Sequence, residues 1–178
     1  MNARTYAATV RRVLAQLLGD RRTVALILVV PALLVILLSF VYRDYPHGEQ
    51  LFERIAVIMI AVLPMAVMFL VTSVTMLRER ASGTLERLWT TSLHRADLLT
   101  GYATAFTLVS VGQSLLLVAV CAWGLGVTIA GSWGWILLTA LLDAFVGVAL
   151  GLLVSAFSRT EFQAVQFMPV VIGVQMFL

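Results

Sequence analysis

Apolar residues fall into five long runs, 23–42, 55–77, 98–125, 135–157 and 162–178, separated by short polar stretches. Each of the first four reaches the ~20 residues that a helix needs to cross a hydrocarbon core. Pro31 and Pro64 lie inside the first and second runs. A proline is tolerated there when neighbouring helices satisfy the carbonyl it frees. Ahead of the runs, residues 1–22 follow a different pattern. Tyr6, Val10, Val13, Leu14, Leu17 and Leu18 recur at helical spacing, while Arg4, Arg11 and Arg12 take the other side. This predicts an amphipathic helix lying in the membrane interface with its arginines toward headgroups.

Composition supports the membrane reading. The chain is 61% hydrophobic and 12% charged, where soluble domains average roughly 45–50% and about 25%. A soluble fold of 178 residues leaves too much surface exposed to hide that apolar load. The predicted fold class is all-α, a polytopic transmembrane helix bundle of five spans forming one domain over 1–178.

Charge orients the bundle. All twelve basic residues are arginine. Arg4, Arg11, Arg12, Arg21 and Arg22 precede the first span; Arg78, Arg80, Arg87 and Arg95 occupy the second loop, and Arg159 the fourth. The first loop, 43–54, holds only Arg43 and Arg54, and the third, 126–134, holds none. By the positive-inside rule the N-terminus and the 78–97 loop are cytoplasmic, and the fifth run leads outward. Trp123, Trp133, Trp135 and Tyr42 sit where an interfacial aromatic belt belongs.

Several function classes drop out. A Walker A loop needs a lysine for the phosphates, and the chain has none, so any ATP that drives it is bound by another polypeptide. The arginines flank apolar spans rather than forming a face for phosphate contacts, which argues against nucleic acid. Cys121 is the one cysteine and lies in an apolar run, which excludes a disulfide framework and reads as a buried structural thiol. His47 and His94 fall on opposite sides of the membrane without an acid–base partner or metal-ligand spacing. The sequence therefore predicts no catalytic, metal or cofactor-binding residue.

Within the spans, Asp143 stands out, because a carboxylate at membrane depth costs at least ~2.5 kcal/mol on insertion scales. Gly147, Gly151 and Ser155 follow it at four-residue steps, giving a small-residue face that admits another helix. Asp143 thus faces protein or a hydrated path, with Gln113, Ser110 and Ser114 of the third span as candidate hydrogen-bonding neighbours. Gln113, Asp143, Gly147 and Gly151 are candidates for a pathway or for helix packing, and packing is the commoner role. Thr72, Ser73 and Thr75 either line a path or bond their own backbone. Met59, Met65 and Met68 either form an adaptable surface or fill the core.

The 78–97 loop carries the most information. Ser82 or Thr84 is placed to cap a short helix, on which Leu85, Leu88 and Trp89 share one face, surrounded by Arg80, Glu86 and Arg87. Such a helix suits a groove on a soluble partner; lying on the membrane surface is the plainer alternative. The pattern Glu79-Arg80, Gly83-Thr84, Glu86 and Leu88, followed by Leu93, Arg95, Leu98 and Gly101-Tyr102, resembles the signature of ABC-2 type permeases. It is most similar to that of the daunorubicin-resistance-type drug and lipid exporters of actinobacteria. Gly151-Leu152-Leu153, Phe157-Ser158-Arg159, Gln163-Ala164 and Pro169 extend the resemblance, which covers nearly the whole chain. Ser92 stands where the family commonly has a proline.

The resemblance implies that 78–97 is a coupling loop docking on a separate ABC ATPase subunit through Arg80, Gly83, Thr84, Glu86, Leu88 and Trp89. It implies a second permease subunit, as a homo- or heterodimer, and a hydrophobic or amphipathic substrate exported across the inner (plasma) membrane of a bacterium. It implies a multidrug-resistance type of transport and six spans, of which the last is missing here. A fragment, a truncated product or a subunit completed by another chain fits that departure. The competing reading is a truncated or non-transporting membrane scaffold.

Overall fold

The computed structural model describes residues 3–83 and 95–177. Among them the elements are helices and no strand occurs. In chain order they are α1 (Ala3–Gly19), α2 (Arg21–Tyr42), α3 (Gly48–Ala81), α4 (Arg95–Ala119, continued by a π-helical turn Val120–Gly124), α5 (Trp133–Phe157), α6 (Glu161–Gln166) and α7 (Met168–Phe177). Four helical stretches, Arg21–Tyr42, Gly48–Ala81, Ala96–Gly124 and Trp133–Phe157, are long and apolar enough to cross a membrane. The chain is a multi-pass membrane protein.

Asp20 separates α1 from α2. Its Oδ1 accepts from the N–H groups of Arg22 and Thr23, at 3.1 and 3.3 Å, and its Oδ2 from the Thr23 hydroxyl at 2.6 Å. These bonds, the Thr23 hydroxyl foremost, hold the Asp20 carboxyl below the usual carboxylate range. The cap satisfies amides that a helix start otherwise leaves free, so the interfacial segment predicted over 1–22 ends as a helix at Gly19.

The second span is longer at both ends than its apolar run. Residues 48–54, predicted as loop, are the first turns of α3. His47, with φ 59°, precedes them, Glu49 lies in the first turn, and Phe52 is buried. At the other end the helix runs through Arg78, Glu79 and Arg80.

The core forms in two layers. One gathers Val13, Leu17 and Ile27 with Met68, Met76, Tyr102, Phe106 and Val148. The other gathers Val35, Phe52, Ile60, Leu117, Cys121 and Ala140. Met65 and Met68 are fully buried and are core. The α3–α5 contact is the backbone of the bundle. A Cβ on Gly147 would lie 2.3 Å from the Met65 carbonyl oxygen, and one on Gly151 would lie 2.7 Å from that of Phe69. Only glycine allows the two backbones this close.

The fifth apolar run is two short helices, α6 and α7, rather than one. Pro169 gives the reason. It has no N–H for the carbonyl four residues earlier and its ring crowds that carbonyl, so the helix is interrupted. In the first turn of a new helix the same proline is favoured.

Candidate functional site

The end of α3 is where the sequence motif and the tertiary structure meet. Three consecutive residues there tie the helix to four others. Glu79 is 5% exposed. Its Oε2 accepts from Nη2 of Arg12 on α1 at 3.1 Å and from the hydroxyl of Tyr102 on α4. Arg12 also donates to the Tyr102 hydroxyl, and its guanidinium lies 5.8 Å from the ring centroid. A carboxylate in a bundle core is costly unless paired and hydrogen-bonded, and here it has both an arginine and a phenol.

Arg78 points to α6. Its Nε and Nη2 donate to Oε1 and Oε2 of Glu161 at 2.7 and 3.0 Å, a two-pronged pair. The hydrogen bond from Arg78 holds the Glu161 carboxyl below the usual range. Arg80 points to α5, where its Nη1 donates to the Ala156 carbonyl at 3.0 Å. That carbonyl belongs to the last turn, whose acceptors lack partners in the helix, and a cation suits the negative end of the helix dipole.

Helix α3 then stops within two residues. Ser82 N–H donates to the Arg78 carbonyl at 2.9 Å, and its hydroxyl to the Glu79 carbonyl at 3.1 Å. Gly83 follows with φ 71°, the left-handed conformation that glycine adopts without strain at a helix C-terminus. Arg80 and Gly83 of the predicted coupling set thus sit at the root of the loop. Thr84, Glu86, Leu88 and Trp89 lie outside the described residues.

α1 supplies the other wall. Tyr6 exchanges a hydrogen bond of 2.7 Å with Thr104, and a Cβ on Gly101 would lie 2.8 Å from Thr9 Cγ2. Val13 and Leu17 are buried, while Arg11 is exposed. Arg12, assigned by periodicity to the polar face with Arg4 and Arg11, instead reaches inward to Glu79. Sequence reasoning passed over this group of three, although Glu79 and Tyr102 both stood within the motif that carried the resemblance.

The second candidate set separates. Asp143 is half-buried, and its Oδ1 accepts from Nε2 of Gln175 on α7 at 3.0 Å. It makes no hydrogen bond to Gln113, Ser110 or Ser114 among the described residues. Ser110 bonds the Thr107 carbonyl, and Ser73 likewise bonds its own helix at Leu70. The amide of Gln113 and the hydroxyls of Ser114 and Thr72 are buried without a hydrogen-bond partner among the described residues. Gly147 and Gly151 are packing residues against α3. Gln175 was legible only as a polar residue in an apolar run, 32 positions from Asp143. No group of three or more metal-ligating side chains occurs among the described residues.

The family model described as ABC-2 type transporter matches residues 4–178. ABC transporter G family member 20 of Dictyostelium discoideum is 30% identical over 108 residues, which are 61% of this chain and 15% of that protein. The probable multidrug ABC transporter permease YbhR of Escherichia coli K12 is 29% identical over 106 residues, 60% of this chain and 29% of that protein. The aligned part is thus under a third of either relative's length. No solved structure matches.

Proposed function

The chain belongs to the ABC-2 type transporter family, whose members are membrane components of ABC transporters, and we propose that it is the permease subunit of an exporter driven by a separate ATPase. The observation that carries this is the anchoring of the α3 end. Arg78, Glu79 and Arg80 hold it to α6, to α1 and α4, and to α5. A displacement applied to the loop beyond Gly83 therefore reaches five helices at once. That is what a motor outside the membrane requires of the element it pushes.

In this reading the 78–97 loop is the coupling loop, and Arg80, Gly83, Thr84, Glu86, Leu88 and Trp89 are the residues through which it docks on the ATPase. The N-terminus and the loop are cytoplasmic, the 1–22 segment lies in the interface, and residues 162–178 supply the fifth crossing. The chain acts as one transmembrane domain in the inner membrane of a bacterium and pairs with a second permease subunit. The pair passes a hydrophobic or amphipathic substrate between inward- and outward-facing states. ATP hydrolysis takes place in the partner, consistent with a chain that contains no lysine.

The test is native mass spectrometry of the complex drawn from its own membranes through an N-terminal tag. Recovery of an ATPase with the wild type, and its loss with Leu88→Asp or Glu86→Arg at unchanged membrane insertion, is the expected result. Recovery of the chain alone would replace the exporter by a non-transporting scaffold. Unchanged recovery with both variants would remove the coupling helix.

A further inference from the structure

A cleft of about 730 Å³ opens between the first turns of α3, the 125–132 loop and the start of α5. It lies at the opposite end of α3 from Glu79, away from the coupling loop. Among its lining residues are Gln50, Glu53, Arg54, Thr128 and Trp135. Two of these carry opposite charge. Glu53 is fixed in place: its Oε1 accepts from the Thr128 N–H at 3.0 Å and also from the Thr128 hydroxyl. Both bonds fall on one oxygen, and Oε2 has no partner among the described residues. Arg54 is exposed and has no carboxylate partner among them.

The rim is amphipathic. Trp135 is 70% exposed, and Leu138, Leu142 and Phe145 continue from it down α5 at steps of three, four and three residues, all exposed. That spacing keeps them on one helical face. An apolar strip thus runs from the cleft into the membrane-spanning part of α5. The headgroup level of a bilayer is where tryptophan settles.

We propose that this cleft binds the headgroup of a zwitterionic phospholipid of the phosphatidylethanolamine type. The phosphate pairs with Arg54, whose planar donors suit phosphate oxygens, beside the Gln50 amide. The ammonium takes the open Oε2 of Glu53 and the face of Trp135, a cation–π contact. The acyl chains follow the Leu138–Leu142–Phe145 strip. A purely anionic headgroup would meet Glu53, and a purely cationic amphiphile would meet Arg54. Only a ligand carrying both charges satisfies both.

The test uses the purified full chain in detergent, with phosphatidylethanolamine and phosphatidylglycerol of identical acyl chains supplied in equal amounts, and bound lipid counted by native mass spectrometry. Wild type is expected to retain phosphatidylethanolamine over phosphatidylglycerol by severalfold. Glu53→Gln keeps an acceptor for Thr128 but removes the charge, and is expected to bring that ratio to near one. Arg54→Gln is expected to lower retention of both lipids severalfold, with Arg159→Gln, at the other end of the bundle, as the unaffected control. Equal retention of the two lipids by wild type, or an unchanged ratio in Glu53→Gln, overturns the proposal and leaves an ordinary lipid-facing surface. Should a variant misfold, the wild-type ratio alone decides. None of these readouts involves ATPase binding, so failure here is distinct from failure of the exporter reading.

Discussion

The hydroxyl of Tyr102 donates to the carboxylate of Glu79, and both side chains are buried. The phenol comes from α4 and the carboxylate from the last turns of α3, the two helices that flank the proposed coupling loop. Arg12 of α1 closes the triangle. Removing Arg12 alone leaves a buried carboxylate with one neutral donor. Breaking a fully buried pair costs about 3–5 kcal/mol, and a smaller penalty applies here because the Arg12 side chain is 37% exposed. Arg12→Met should therefore destabilise the detergent-solubilised protein, and Arg12→Met/Glu79→Gln should recover part of the loss. A coupling energy of roughly 1 kcal/mol or more in thermal unfolding is expected. Strictly additive effects would mean that the two side chains do not act as a pair.

The α3–α5 seam gives a contrast between glycines on different helices. A Cβ at Gly147 meets backbone atoms of Met65, which cannot rotate away, whereas a Cβ at Gly112 on α4 meets nothing within 4 Å among the described residues. Gly147→Ala should lower the unfolding temperature, with overpacking costing about 1–3 kcal/mol. Gly112→Ala should be neutral or raise it, since alanine gains up to ~1 kcal/mol over glycine in a helix. The comparison is made in one detergent with both variants side by side. A stable Gly147→Ala would show that the helices can separate there at little cost.

The Arg78–Glu161 pair should make the attachment of α6 to α3 weakly dependent on pH. The folded-state carboxyl titrates below its ordinary value of 4.5. A depressed carboxylate stabilises the fold at pH above the unfolded value, and that contribution is lost as pH falls through the folded one. Both side chains are well exposed, 64% and 48%, so solvent and salt screen the pair. The stability difference between wild type and Glu161→Gln should be small and present at neutral pH. It should shrink in high salt and vanish as the pH falls below the glutamate range. Melting curves across pH at two salt concentrations measure this. A difference that persists in acid would assign the effect of Glu161 to its place in the first turn of α6.

These tests concern contacts that hydropathy could not have shown, and the reason is physical. The apolar runs located the long helices because the bilayer imposes length and composition on them. Helix ends obey hydrogen bonding instead. Glu49, Glu53 and Arg54 read as a polar loop but continue the helix, and Arg78 to Arg80 do the same at the other end. Periodicity placed Arg12 outward because its own helix offers no partner; Glu79 lies 67 positions away. Asp143 was legible as needing a partner, yet Gln175 was hidden in a run read as one span, which Pro169 divides. The spacing of Gly147 and Gly151 was legible as a small-residue face of α5, but not that α3 is the helix it meets. Gly83 was legible as a motif residue, but its conformation was not.

That conformation ends α3 at the root of the proposed coupling loop. At φ 71° a side chain with a Cβ is strained, by roughly 1 kcal/mol or more for residues other than asparagine and aspartate. No neighbour among the described residues lies within 4 Å of the Cβ position, so the expected effect of a substitution there is on the backbone. Gly83→Asn, which tolerates the left-handed region, should leave ATPase recovery in the native complex near that of wild type. Gly83→Val should unwind or redirect the last turn of α3 and reduce recovery severalfold, while membrane insertion and the Glu79–Tyr102 contact persist. The order wild type, asparagine, valine is the diagnostic, because a contact role would rank the variants by side-chain size and polarity instead. Equal recovery with valine would show that the exit direction at Gly83 does not govern docking.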